Sequence, residues 1–304
     1  MRLSLTVKGA TLALWVCGRA AAAEPERVTF ETFDHITIHG DYYAPPPSAG
    51  KAPLAILLHM CHSDRSAWTP VARPLQAAGF GVLAIDLRGH GASATDALRA
   101  RVEARDPTLF RAMFQDVRGA YDWIAQRDEI DRARFALVGA SVGASVALQY
   151  AAEDLSVDVV VCLTPGLDYL GMNSQDDIRR IEGRRIHLVA TRDERAAAER
   201  LAKLNAGAAA TILPGAAHGT RMFGSVPGIT KKIVDFLKEG VGRSTDTTVF
   251  ASINSEVYHL PGSGWIEKIK PSNLRCLSSP EEAGQRGLRT ARSRRPSDWR
   301  EEKP

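Results

Sequence analysis

The most constraining stretch is Arg134 to Ser145, RFALVGASVGAS. Phe135, Ala136, Leu137 and Val138 form an apolar run that suits a strand buried on both faces. Gly139-Ala140-Ser141-Val142-Gly143 then makes a turn, and Ala144 to Tyr150 continues at helical spacing. A serine on a tight strand-to-helix turn lifts its hydroxyl above the sheet edge. Its neighbours two before and two after must be nearly free of side chain for the backbone to pass. The next amide, Val142 N–H, opens a helix, where partial positive charge can stabilise an oxyanion.

The flanking chain repeats the theme. Leu54–Leu58, Gly81–Leu87, Val157–Leu163, Ile186–Ala190 and Ala210–Leu213 read as short buried strands. Helical patterns lie between and after them at Pro70–Ala78, Asp106–Gln126, Glu194–Leu204 and Ile229–Leu237. Ahead of them, Val28 to Tyr43 alternates apolar and polar residues like two antiparallel edge strands. Buried strands alternating with helices predict an α/β fold, a doubly wound, mostly parallel sheet. In such a sheet functional groups sit on loops leaving the carboxyl ends of strands. His59 to Ser63, Ser141, Asp168, Asp193 and His218 all fall there.

Composition excludes little. With 44% hydrophobic and 24% charged residues in 304, the chain can bury a full core. A net charge of +4 over this length does not by itself imply nucleic acid, and none is expected as a partner. Arg2 and Lys8, the apolar Ala10–Cys17 and the small residues Ala20–Ala23 predict a signal peptide over 1–23 and a periplasmic or secreted protein. The apolar core is too short for stable membrane insertion. Leu14-Trp15-Val16-Cys17 departs from a lipoprotein box at Val16. Cys61, Cys162 and Cys276 then remain, and their scatter offers neither a disulfide framework nor metal spacing.

Over Val28 to Gly240 the chain resembles the α/β-hydrolase superfamily in its dienelactone hydrolase-like and carboxylesterase-like branches. The resemblance is carried by LLHMCHSDRSAW (Leu57–Trp68), DLRGHGAS (Asp86–Ser93), GASVGAS (Gly139–Ser145), Asp193 and AHG (Ala217–Gly219). It implies that Ser141 is the nucleophile, His218 its base and Asp193 the acid that holds the imidazole, with no cofactor. Asp168 is the rival for the acid, and Glu194 reads as a helix N-terminal charge. The oxyanion donors implied are the amides of Val142 and Cys61. Met60 stands where relatives carry glycine, and Met60 and His62 are expected to wall the substrate pocket. Asp86, Arg88 and His90 are expected to tie loops together. Only Pro165–Arg185 separates two strands where larger relatives insert a lid, so an open cleft suited to small or accessible esters is expected, with the Ala94–Pro107 loop beside it.

The expected domain spans 28–241, followed by a linker at 242–248. Residues 249–296 resemble a small Ada-type metal-binding module in frame: Ser255, Val257, Tyr258, His259, Pro261, Trp265, Ile269, Pro271 and Asn273. Its ligands are missing, because Ser263, Ala291 and Arg294 occupy cysteine positions and His259 alone cannot hold a metal. No metal is expected, and without one the module should be loosely ordered. Residues 297–304 form a tail. The resemblance implies a serine hydrolase acting on small-molecule esters, and the N-terminal pattern adds that it is exported. An amidase or peptidase with the same triad is the alternative, and a non-catalytic envelope- or polyanion-binding protein the reading from another class.

Overall fold

A computed structural model of the chain describes residues 24–48, 50–154, 156–181, 184–241, 249–259, 265–277 and 280–290. The expected signal peptide, the 242–248 linker, Ser263, Ala291, Arg294 and the tail lie outside these residues.

The main strands are β1 (Glu26–Glu31), β2 (Thr37–Tyr43), β3 (Ala52–Leu58), β4 (Gly81–Ile85), β5 (Ile130–Ala140) and β6 (Val157–Leu163). A two-residue hairpin follows as β7 (Asp168–Tyr169) and β8 (Met172–Asn173), and then come β9 (Arg185–Thr191) and β10 (Ala208–Leu213). Eight of them form one sheet in the order β1-β2-β4-β3-β5-β6-β9-β10. The β1–β2 hairpin is antiparallel and pairs antiparallel with β4, as the alternation in Val28–Tyr43 predicts. Every other neighbour is parallel. The doubly wound, mostly parallel sheet expected from the sequence is what forms.

The helices explain why the strands are apolar on both sides. They are α1 (Thr69–Ala77), α2 (Asp96–Glu103), α3 (Pro107–Arg111), α4 (Phe114–Ile124), α5 (Val142–Glu153), α6 (Ser174–Arg180), α7 (Arg195–Ala202), α8 (Met222–Ser225) and α9 (Ile229–Gly240). Along β3, Leu54, Ile56 and Leu58 join one core with Val117 and Ile124 of α4 and Val146 of α5. Ala55 and Leu57 join the other with Val71 and Leu75 of α1 and Ile233 and Leu237 of α9. Each such leucine or isoleucine is fully buried, a contribution of about 1.5–3 kcal/mol per side chain.

Two helical expectations change. Asp106–Gln126 is not one helix. Met113, Gln115 and Asp116 N–H bond to Phe110, Ala112 and Met113 carbonyls, three residues back, and this tight turn separates α3 from α4. The Ala94–Pro107 loop is largely helical, as α2. Thr95 caps it by accepting from Leu98 N–H at 3.2 Å, and Leu98 and Val102, four apart, bury one face.

After the eight-stranded sheet, β11 (Val249–Ser252), β12 (Val257–His259), β13 (Leu274–Leu277) and β14 (Arg289–Thr290) form a four-stranded sheet in the order β13-β11-β12-β14. Val249, Ala251, Tyr258, Leu277 and Ala283 give it a core of its own. Among the described residues no group of three histidine, cysteine or acidic side chains could hold a metal ion. No described helix is long and apolar enough to cross a membrane.

Candidate active site

The parallel strands end level. Leu58 pairs with Gly139, Ala140 with Leu163, and Thr191 with Leu213. The loops that start at His59, Ser141, Thr164 and Arg192, and the one that carries His218, therefore leave the same sheet edge.

Ser141 sits between β5 and α5 with φ 53° and ψ −115°, a conformation that non-glycine residues adopt only under constraint. The constraint is visible. Ser141 N–H donates to Leu163 O at 2.9 Å, and Ser141 O accepts from Ala144 N–H at 2.9 Å and Ser145 N–H at 3.2 Å. The flanking glycines are sterically required. A Cβ at Gly139 would stand 2.1 Å from Gly143 O, and one at Gly143 would stand 2.3 Å from Leu58 O. Ser141 is half-buried, and among the described residues its hydroxyl makes no hydrogen bond.

His218 leaves the loop after β10, and two threonines hold that loop down. Thr164 Oγ1 accepts from Gly219 N–H at 2.9 Å. Thr191 Oγ1 accepts from Ala217 N–H at 3.4 Å and donates to Ala217 O at 3.3 Å. Thr164 has φ 46°, costly for a β-branched residue and a second strained backbone at this edge.

The carboxylate beside His218 is not that of the expected Asp193. His218 Nδ1 lies 2.7 Å from Glu194 Oε1, whereas Asp193 is exposed and Asp168 is exposed on the β7–β8 hairpin. Among the described residues no hydrogen bond links either aspartate to His218. The reason is a short 3-10 turn at Arg192–Glu194 before α7. It turns the first acidic side chain to solvent and brings the second, Glu194 at the helix entrance, back over the sheet edge. The only sequence signal for this was the acidic pair itself at a strand end.

The loop after β3 carries the other expected residues. His59 is fully buried. Its Nε2 accepts from Leu87 N–H at 3.0 Å, so its Nδ1 carries the proton and donates to Met60 O at 2.7 Å. Burial, with the His90 ring 5.1 Å away, pushes its pKa down to about 4. The Met60 side chain packs against Gly219, where a Cβ would come within 2.8 Å of its sulfur, and beside Ala140. It therefore lies between the serine turn and the histidine loop. Cys61 is half-buried, and among the described residues its amide makes no hydrogen bond. Burial raises its thiol pKa. Val142 is buried at the first position of α5. His62 is exposed with φ 56°, 3.7 Å from Glu103, and the distance of its ring from His90 is 6.5 Å.

DLRGHGAS ties loops together. Asp86 accepts from Arg65 N–H and Ala92 N–H, each at 2.7 Å, and from the Arg65 guanidinium. Arg88 bridges Asp116 on α4 and Asp34 in the β1–β2 turn. These ties brace the sheet edge.

Residues 52–192 match the serine aminopeptidase S33 family. Two proteins of Mycobacterium tuberculosis, each named only as an uncharacterized protein, are 30% identical over 126 residues. That match takes in 41% of this chain and 41% of each relative, so the chain spans less than half the length of the curated relatives it matches. Among solved structures, an α/β hydrolase from Penicillium superposes with a TM-score of 0.60 at 17% identity, covering 72% of this chain and 99% of that one. The Pyrococcus furiosus esterase Pf2001 gives 0.58 at 21%, covering 72% and 94%. A dienelactone hydrolase from Anabaena variabilis gives 0.56 at 22%, covering 72% and 97%. Likeness at this identity speaks to architecture, and architecture alone does not assign chemistry. The chain has the α/β-hydrolase fold, with residues 52–192 similar to the serine aminopeptidase S33 family.

Proposed function

We propose that the protein is an exported serine hydrolase that cleaves small or accessible carboxylic esters, with Ser141, His218 and Glu194 as its triad. The observation that carries this reading is the strained, glycine-flanked Ser141 on the same sheet edge as a histidine whose Nδ1 is engaged by a carboxylate at 2.7 Å. In the reaction, His218 Nε2 takes the Ser141 proton as Oγ attacks the ester carbonyl. The Val142 and Cys61 amides receive the oxyanion, the first strengthened by the N-terminus of α5. Collapse breaks the ester C–O bond, and the imidazolium protonates the departing alkoxide to leave an acyl-enzyme. Water, deprotonated by the same ring, then releases the acid. Glu194 keeps the Nδ1–H tautomer and balances the transient positive charge. The missing Ser141–His218 hydrogen bond is compatible with this, because such bonds are long in ligand-free sites and tighten around substrate. No cofactor enters the scheme.

A peptidase or amidase reading with the same residues is favoured by the match of residues 52–192 to a serine aminopeptidase family. Hydrolysis of p-nitrophenyl acetate and butyrate, beside aminoacyl p-nitroanilides, separates the two. Ester turnover that vanishes in Ser141→Ala is the expected result. Anilide turnover without ester turnover transfers the triad to peptides. No turnover of either, with no labelling by a fluorophosphonate, overturns the serine mechanism.

A further inference from the structure

A cavity of about 790 Å³ lies at the amino ends of β5 and β6, the opposite end of these strands from Ser141. One wall belongs to the eight-stranded sheet and carries Asp131 and Asp158. The other belongs to the C-terminal sheet and the turns beside it, and it is apolar, with Phe250, Ile266, Ile269 and Leu274. The volume is that of a small-molecule site.

Two bulges shape the sheet wall. Between β3 and β5 the register passes from Pro53–Asp131 to Leu54–Phe135, so residues 132–134 have no partner on β3. Between β5 and β6 it passes from Phe135–Val157 to Ala136–Val159, which leaves Asp158 as an extra residue. A bulge re-aims the side chain that it carries, and here that is the one charged residue in VDVVVCL. Asp158 Oδ2 accepts from Phe135 N–H at 3.1 Å. Among the described residues its other oxygen makes no hydrogen bond, and the carboxylate makes no ion pair. Burial pushes its pKa up to about 7, with Asp131 adding to the rise and Arg184 and Arg134 opposing it. Both arginines bond elsewhere, Arg134 to Asp131 at 2.7 Å and Arg184 to Asp154 O at 2.9 Å. Asp131 also accepts from Ala133 N–H at 3.1 Å. Lys51, Asp122 and Arg132 are exposed, whereas Asp131 and Asp158 are half-buried. An asparagine could take the Phe135 N–H without the cost of a buried charge, so that hydrogen bond alone does not call for an aspartate.

We propose that this cavity is a second ligand site that takes a small organic cation, a primary amine on an apolar body, with the ammonium against Asp158 and the body against Phe250, Ile266 and Leu274. The site needs nothing from the serine-hydrolase reading of Ser141. An ammonium gives the buried carboxylate the charged partner that it lacks. The apolar body removes the facing wall from water. An anion is repelled by Asp158, and a neutral alcohol leaves the charge uncompensated. Because both sheets line the cavity, a bound amine ties the C-terminal sheet to the larger one.

The test is calorimetric titration of the full chain at about pH 8, where the amine and most of Asp158 are ionised. The probes are tryptamine, its alcohol tryptophol and the anionic indole-3-propionate, with hexylamine and hexanol as an aliphatic pair. At least one amine should bind about tenfold tighter than its alcohol, and indole-3-propionate should not compete with it. In Asp158→Asn that ratio should fall to near one, because the amide keeps the shape and can still accept from Phe135 N–H. The melting temperature of this variant should match or exceed that of the parent, which separates a lost site from a lost fold. Ala133→Trp, a change at an exposed position lining the cavity, fills the space and should abolish binding of amine and alcohol alike. Equal binding of amine and alcohol in both pairs, an amine preference that survives Asp158→Asn, or amine binding untouched by Ala133→Trp overturns the assignment. So does the absence of binding of either amine up to about 1 mM.

Discussion

The Nδ1 atom of His218 stands 2.7 Å from Oε1 of Glu194, and the adjacent Asp193 is exposed. A carboxylate in that place does two things. It selects the tautomer that leaves Nε2 free to accept a proton, and in the proposed reaction it would stabilise the imidazolium that forms. The other oxygen, Glu194 Oε2, is buried and among the described residues has no hydrogen-bond partner, so none of these draws the carboxylate from the ring.

Replacing Glu194 with Gln should therefore lower kcat by about 10²- to 10⁴-fold with a small change in KM. Asp193→Asn should stay within about twofold of the parent, as expected for an exposed side chain. Steady-state kinetics on one ester decide between them. The reverse pattern would return the acid to Asp193.

Thr164 acts at one remove, through the Gly219 amide that follows the histidine. Thr164→Val keeps the shape and removes the hydroxyl, leaving a buried N–H without its acceptor. The cost should be about 1–3 kcal/mol in urea unfolding. A purely structural role would stop there. If the hydroxyl also positions His218, kcat should fall about tenfold while KM holds, and Thr164→Ser should restore it.

The buried histidines make the fold acid-sensitive in a defined window. His59 has a folded pKa near 4, whereas an ordinary histidine titrates near 6.5. Between those values the unfolded chain binds the proton and the folded chain does not, so stability falls as pH drops from 6.5 to 4 and changes little above 6.5 from this group. The contribution is at most about 3 kcal/mol. His90 and His187, also held low by burial, add in the same direction. Urea midpoints across this range should fall, and His59→Asn, which does not titrate, should show a shallower slope. An unchanged slope would remove His59 as a cause.

Much of the architecture was legible in the chain. The apolar runs at Leu54–Leu58 and Val157–Leu163 could only be strands covered on both faces, and the turn at Gly139–Gly143 could be made only with those glycines. Such features depend on side-chain period and backbone sterics over a few residues, and local sequence contains both. The loss of regularity at Ala112–Met113 and the helix at Asp96–Glu103 were harder to read. The first depends on how Phe110 and Met113 both reach one core. The second has only Leu98 and Val102 to mark its buried face.

The site divides in the same way. Sequence by itself placed Ser141 and His218 at strand ends and set the small residues that let the serine turn form, because those requirements are met within one loop. Only the tertiary structure decided which of two neighbouring carboxylates meets the imidazole and that Thr164 and Thr191 anchor the histidine loop. Each of these joins residues far apart in the chain, and the direction of a side chain there is set by a single turn packed against a distant strand. No local pattern encodes that direction.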